Sequence, residues 1–194
     1  AACFFFFFSC WPERNMLPVG IIYFCQWCAP DSLVNAVADA LPVMHPYLIL
    51  WWALVLLYVP IGLKLMLLIP TGKLNNVDPR IMKLQSGAIG SSPWQRQNQS
   101  AHDNLNENLP IFAAAVIACM TMGVPVATVS AHATLWLVLR TAYYVAYVTP
   151  INALTQGFAR TLCFLPSVAV IAKLFLLAAA PASDQLPINL QGFV

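Results

Sequence analysis

Apolar runs, rather than alternating positions, carry the pattern of this chain. A bilayer core of about 30 Å is crossed by roughly 20 apolar residues in a helix, and four stretches meet that requirement. The first runs from about 46 to 69, PYLILWWALVLLYVPIGLKLMLLI, with Lys64 as its only charge. The second runs from about 109 to 129, with Pro110 suited to its opening turn. The third covers about 131 to 148 and contains Arg140. The fourth covers about 161 to 180, with Lys173 near enough to its end to snorkel to the interface. The pattern predicts an all-α integral membrane protein. Four transmembrane helices form a bundle at 46–180, after an extension at 1–45 and before a tail at 181–194.

The polar segments fill in the rest. Residues 71–93, TGKLNNVDPRIMKLQSGAIGSSP, read as loop from their Gly, Pro and Asn punctuation. Residues 94–108, WQRQNQSAHDNLNEN, hold no helix breaker and are expected to extend the second helix beyond the membrane. The short uncharged link between spans two and three forces an antiparallel hairpin. In the extension, Asp31 and Ser32 are placed to cap a short helix through about Leu41. Its Leu33, Val34, Val37 and Leu41 suggest one face lying on the membrane or on a partner.

Composition agrees with a lipid solvent: 60% of the residues are apolar and 8% are charged, against about 25% charged in soluble domains. A net charge of +2 without a basic stripe sets nucleic acid aside. Lys73, Arg80, Lys83 and Arg96 fall between spans one and two, and Arg160 between spans three and four. The extension carries Glu13, Asp31 and Asp39 against Arg14, and the tail carries Asp184. By the positive-inside rule both termini lie opposite the basic loops. The opening AACFFFFFSC lacks the basic start of a signal peptide. It is read as a translated leader, with Met16 as the expected start. Cys119 and Cys163 sit in apolar runs as small hydrophobes. Cys25 and Cys28 form a CQWC without the βαβ context of a redox motif. Adding Cys3 and Cys10 gives four thiols at a spacing unfamiliar for zinc, and no metal site is assigned.

Ionisable and polar residues inside a membrane are costly and become the candidates for chemistry. On a helix, Asn104, Glu107 and Asn108 share one face. Arg140, Tyr143, Tyr144 and Tyr147 fall on adjoining stripes of span three. In a tight hairpin, Glu107 is expected near the level of Tyr147, with Arg140 a turn or two deeper. Such a seam would bind a small zwitterionic or anionic ligand, Arg meeting a carboxylate and Glu an amine. Alternatively these residues satisfy one another and hold the bundle together. His102 reads as an interfacial side chain, with no nucleophile beside it.

Residues Ala101, His102, Asn104, Glu107, Asn108 and Pro110 resemble the signature of the MAPEG family, the membrane-associated proteins of eicosanoid and glutathione metabolism. LKLMLLIPTGKL, where span one ends, and Arg140 to Tyr147 resemble the corresponding family segments; the likeness covers about 48–180. The resemblance implies a four-helix bundle that assembles as a homotrimer and binds glutathione between subunits. It also implies an Arg that stabilises the glutathione thiolate, since a fixed cation lowers a thiol's pKa. By this likeness Asn104, Glu107, Arg140 and Tyr147 match ligand-contacting or supporting positions, and Arg140 and Arg160 are the catalytic candidates. His102, Asn108, Tyr143 and Tyr144 are left as polar contacts within the bundle.

The chain departs from the family where cations are expected. Ser100, Asp103 and Asn75 stand at positions that are basic in glutathione-using members; Leu154 and Thr155 replace an Arg-Ser pair, and the following aromatic is Phe158, without a hydroxyl. Each lost charge-assisted bond is worth about 1.5–3 kcal/mol. The sequence therefore favours a non-catalytic accessory subunit of a larger membrane assembly. A glutathione-dependent transferase or peroxidase and a lipid-presenting protein are the alternatives. Bound lipid and other membrane subunits are the expected partners. The expected location is the mitochondrial inner membrane or the endoplasmic reticulum.

Overall fold

The computed structural model describes residues 17–42, 44–71, 93–149 and 153–185. Cys3, Cys10, the Phe run and Met16, the basic loop with Lys73, Asn75, Arg80 and Lys83, and the last residues of the tail lie outside the described residues. The described chain is helical: α1 Leu17–Cys28, α2 Asp31–Ala40, α3 Pro46–Leu68, α4 Pro93–Thr121, α5 Val126–Val148 and α6 Ala153–Gln185. A single 3-10 turn, Ile69–Thr71, continues α3.

Local chemistry sets the helix ends. Pro46 opens α3, where its missing N–H is not needed, and the His45 ring accepts a bond from the Tyr47 amide. Helix α4 ends in a Schellman turn around Gly123, whose φ of 75° suits a residue without Cβ. The Gly123 and Val124 amides donate to the Met120 and Cys119 carbonyls. Pro125 then caps α5. This turn corrects the expected boundaries of spans two and three, because an apolar run conceals a turn made of Met, Gly, Val and Pro. The second helix stops at Thr121 rather than 129, and the third starts at Val126 rather than 131. Helix α6 begins at Ala153 rather than 161. As expected, residues 94–108 are helical and continuous with α4.

Helices α3 and α6 are long and apolar enough to cross a membrane, over Pro46–Met66 and Leu154–Ala180, at mean hydropathies of 2.0 and 2.3. They are the two such helices among the described residues. Helix α4 spends its first half on amides and charges, and α5 carries His132, Arg140 and several hydroxyls. Helix α4 packs against α3, α5 and α6, and α5 packs against α3 and α6. Phe112 of α4 stacks on Trp136 of α5, ring centroids 3.8 Å apart, and both are fully buried. Tyr58, Met66, Phe158 and Leu162 face outward, and Leu154 is 88% exposed. Such a broad apolar exterior is rare in water. It suits lipid, and the protein is an integral membrane protein.

The extension folds onto this bundle. Helix α1, not expected from the sequence, packs on α6, and α2 packs on α5. The face of α2 expected to meet a membrane or partner therefore meets the chain itself: Val34 is buried and Val37 half-buried, while Leu33 and Leu41 stay exposed. Asp31 does not cap α2. It is the first helical residue, after Pro30. Its carboxylate accepts instead from Lys173 at 2.6 Å and Gln26 at 3.1 Å. Lys173 thus meets a carboxylate and, at 2.7 Å, the Ala29 carbonyl of the extension.

Candidate functional site

Polar side chains concentrate where the first half of α4 crosses the other helices. The buried face of α4 runs Asn98, Ala101, Leu105, Phe112, Ala115, Cys119, a helical repeat that begins on a polar residue. Asn98 donates to the Pro60 carbonyl of α3 at 2.7 Å and accepts from the Tyr144 hydroxyl of α5 at 2.9 Å. His102 Nδ1 lies 3.0 Å from the Leu57 carbonyl, which makes that nitrogen the protonated one. Pro60 lies inside α3 and cannot donate to a preceding carbonyl; the two α4 side chains bind its own carbonyl and that of Leu57, tying α4 to α3 at the proline. Two more bonds widen the contact. Lys64 donates to Gln99 at 3.3 Å, and Gln97 donates to Gln156 of α6 at 3.2 Å. Gln156 in turn donates to the Tyr147 and Thr149 carbonyls that end α5.

Arg140 is the centre of the second cluster. It is 0% exposed, and its Nη1 donates to Asn104 Oδ1 at 2.8 Å. The guanidinium carbon lies 5.6, 5.5 and 5.3 Å from the ring centres of Trp136, Tyr143 and Phe164. Three rings around a cation in a low-dielectric site replace part of its lost hydration. Arg140 Nε and Nη2 are buried and have no hydrogen-bond partner among the described residues. Arg160 of α6 covers the Tyr147 ring at 4.1 Å, and its Nε is likewise buried and unpartnered. Tyr147 meets Tyr143 edge to face at 5.0 Å. Arg96 lies in α4, as expected for 94–108, and Arg160 lies in α6 rather than in a loop, and the Gln97–Gln156 bond sets both at the same end of the bundle.

The expected residues are thus partly gathered and partly separated. Arg140 and Asn104 are bonded. Tyr143, Tyr147 and Arg160 form the adjoining aromatic–cation group. Tyr144 joins Asn98 instead, and Asn108 donates to the Asn104 carbonyl of its own helix. Glu107 is exposed, and the expectation that it lies level with Tyr147 is wrong. In the antiparallel pair it sits past the Asn104–Arg140 rung toward the turn, while Tyr147 sits away from it. At 1.5 Å per residue the two are about 15 Å apart along the axis. Asn98, Gln97, Gln156 and Phe164 were missed. Asn98 alone left a signal, as an amide in register with Ala101 and Leu105.

Of the residues that depart from the resemblance, Ser100, Leu154 and Thr155 are exposed, Asp103 accepts from Gln99 at 3.0 Å, and Phe158 points outward. An open groove of about 670 Å³ runs between α5 and α6, lined mainly by Leu137, Val138, Ala142, Val145, Ala146 and Ala159. Cys25, Cys28, Cys119 and Cys163 are free thiols, and no three His, Cys, Asp or Glu residues gather as metal ligands among the described residues. No curated protein and no solved structure matches the chain. The sequence profile of the MAPEG family matches residues 47–180, from the first turn of α3 through the apolar length of α6. With most of its length matched in this way, the chain belongs to the MAPEG family.

Proposed function

We propose that this protein is a non-catalytic member of its family, a structural or accessory subunit that packs in an organellar membrane against other membrane proteins. The observation that carries this reading is the state of Arg140. A guanidinium that is to hold a carboxylate needs open donors and room beside them. Arg140 is fully buried, bonded to Asn104 and flanked by three rings, while Glu107 faces away from it. This arrangement supports reading the residues as bundle contacts rather than as a receptor for the two carboxylates and the amine of glutathione. Ser100, Asp103 and Leu154 leave the neighbouring positions without cations. The same polar groups serve well as bundle contacts between α3, α4, α5 and α6. The groove between α5 and α6 suits an acyl chain of a bound lipid.

One observation favours the glutathione-dependent enzyme as a second reading. Among the described residues Arg140 Nε and Nη2 and Arg160 Nε are donors without acceptors, and a ligand anion held between copies of the chain would satisfy them. Calorimetry with glutathione on the detergent-purified protein decides between the two. The accessory reading expects no heat of binding from a folded, oligomeric sample. Binding at millimolar or tighter affinity, lost in Arg140→Ala, overturns it.

A further inference from the structure

We propose that residues 17–41 form a strap latched by charge: the Lys173–Asp31 ion pair holds α1 and α2 over α6 and α5, and neutralising Asp31 lets them lift away from a bundle that stays folded. The family match begins at residue 47, so the strap is an addition to the bundle the family shares. Among the described side chains of the strap, Cys25, Cys28, Ala29 and Val34 are buried, and Phe24 and Val37 pack half-buried against the core. The Lys173–Asp31 ion pair adds a charged tie to these apolar contacts.

The pair is also asymmetric. The Lys173 side chain is 12% exposed and that of Asp31 is 65% exposed. Lysine is committed to the bundle, whereas water and protons reach the aspartate. Lys173 has a second acceptor, the Ala29 carbonyl, and Gln26 occupies the other Asp31 oxygen, so all of the latch's partners except Lys173 belong to the strap. The charged or titratable groups facing Asp31 are Lys173 on α6 and His132 on α5, with Cys25 on α1 beside Lys173. The Lys173 ammonium, with Gln26, holds the Asp31 carboxyl below the usual carboxylate range, so the latch is closed at neutral pH. Past α2 the chain is tied down independently, Ser130 donating to the Met44 carbonyl. Opening can therefore stop at the strap.

The native thiols report the state of the strap. Cys25 and Cys28 belong to the strap and are buried where it meets the bundle, and Cys119 is buried in the bundle, where it donates to the Leu174 carbonyl. The full chain in lipid nanodiscs is labelled with a maleimide at pH 7, and each cysteine is followed by mass spectrometry. Asp31→Asn should label Cys25 and Cys28 roughly tenfold faster than wild type, between the small effect of an exposed pair and the large effect of a buried one. Cys119 should stay protected. The double variant Asp31→Asn with Lys173→Met also lacks the latch and should label about as fast as Asp31→Asn. Wild-type labelling in Asp31→Asn overturns the latch. Equal exposure of Cys119 overturns a strap that lifts alone, and a double variant back at the wild-type rate shows that the stranded ammonium, not the loss of the pair, opened the single variant.

Discussion

Replacing Asn98 by Leu is the sharpest test of the polar contact that joins α3, α4 and α5. Leucine keeps the branched shape while being larger, apolar and a better helix former, so what the contact loses is the pair of bonds to the Pro60 carbonyl and from the Tyr144 hydroxyl, at 2.7 and 2.9 Å. Hydrogen bonds between membrane helices average about 0.6 kcal/mol and reach about 1.7. Asn98 is 1% exposed, so water cannot replace it. The loss leaves the half-buried Tyr144 hydroxyl without its acceptor, a penalty of about 1–3 kcal/mol. Asn98→Leu should therefore destabilise the bundle by about 1–3 kcal/mol. Reversible unfolding in mixed micelles, titrated with a denaturing detergent and followed by helix signal, measures this. A cycle with Tyr144→Phe isolates the Asn98–Tyr144 bond and should return a coupling of about 0.6 kcal/mol or more. A variant as stable as wild type, with additive single effects, would refute the view that this amide ties three helices together.

Phe112→Ala removes a fully buried ring stacked on Trp136 and should cost about 3–5 kcal/mol with loss of near-ultraviolet dichroism; the same unfolding titration reads it. Acid should loosen the extension and leave the bundle intact. The depressed folded-state pKa of Asp31 means that its stabilisation is present above the unfolded carboxylate value and fades as pH falls through the lower folded one. Pulsed electron resonance between nitroxides at Asn35 and Ala127 should then show a longer, broader distance at acid pH in wild type and no change in Lys173→Met. At pH 7, Cys163, half-buried on α6, should react with maleimide well before Cys119, which is buried in the core; equal rates would contradict the packing of α4 against α6.

Hydropathy and one motif carried much of this protein in its linear sequence. Long apolar runs with few charges mark candidate membrane spans, which placed α3 closely and α6 except for its start, and the AHDNLNENLPIF segment pointed to the family. The absence of a breaker between Trp94 and Asn108 correctly predicted the polar first half of α4 as helix. What composition could not supply was register. The Schellman turn at Gly123 is built from residues as apolar as the helices it joins, so the hairpin's pairing, and with it the distance from Glu107 to Tyr147, was misjudged. Partners separated far along the chain were equally hidden. Nothing local tells that Asn98 serves the carbonyl of Pro60, that Arg140 lies among Trp136, Tyr143 and Phe164, or that Lys173 is claimed by Asp31. A side chain's own chemistry shows that it needs a partner; only the packing of helices decides which partner it finds.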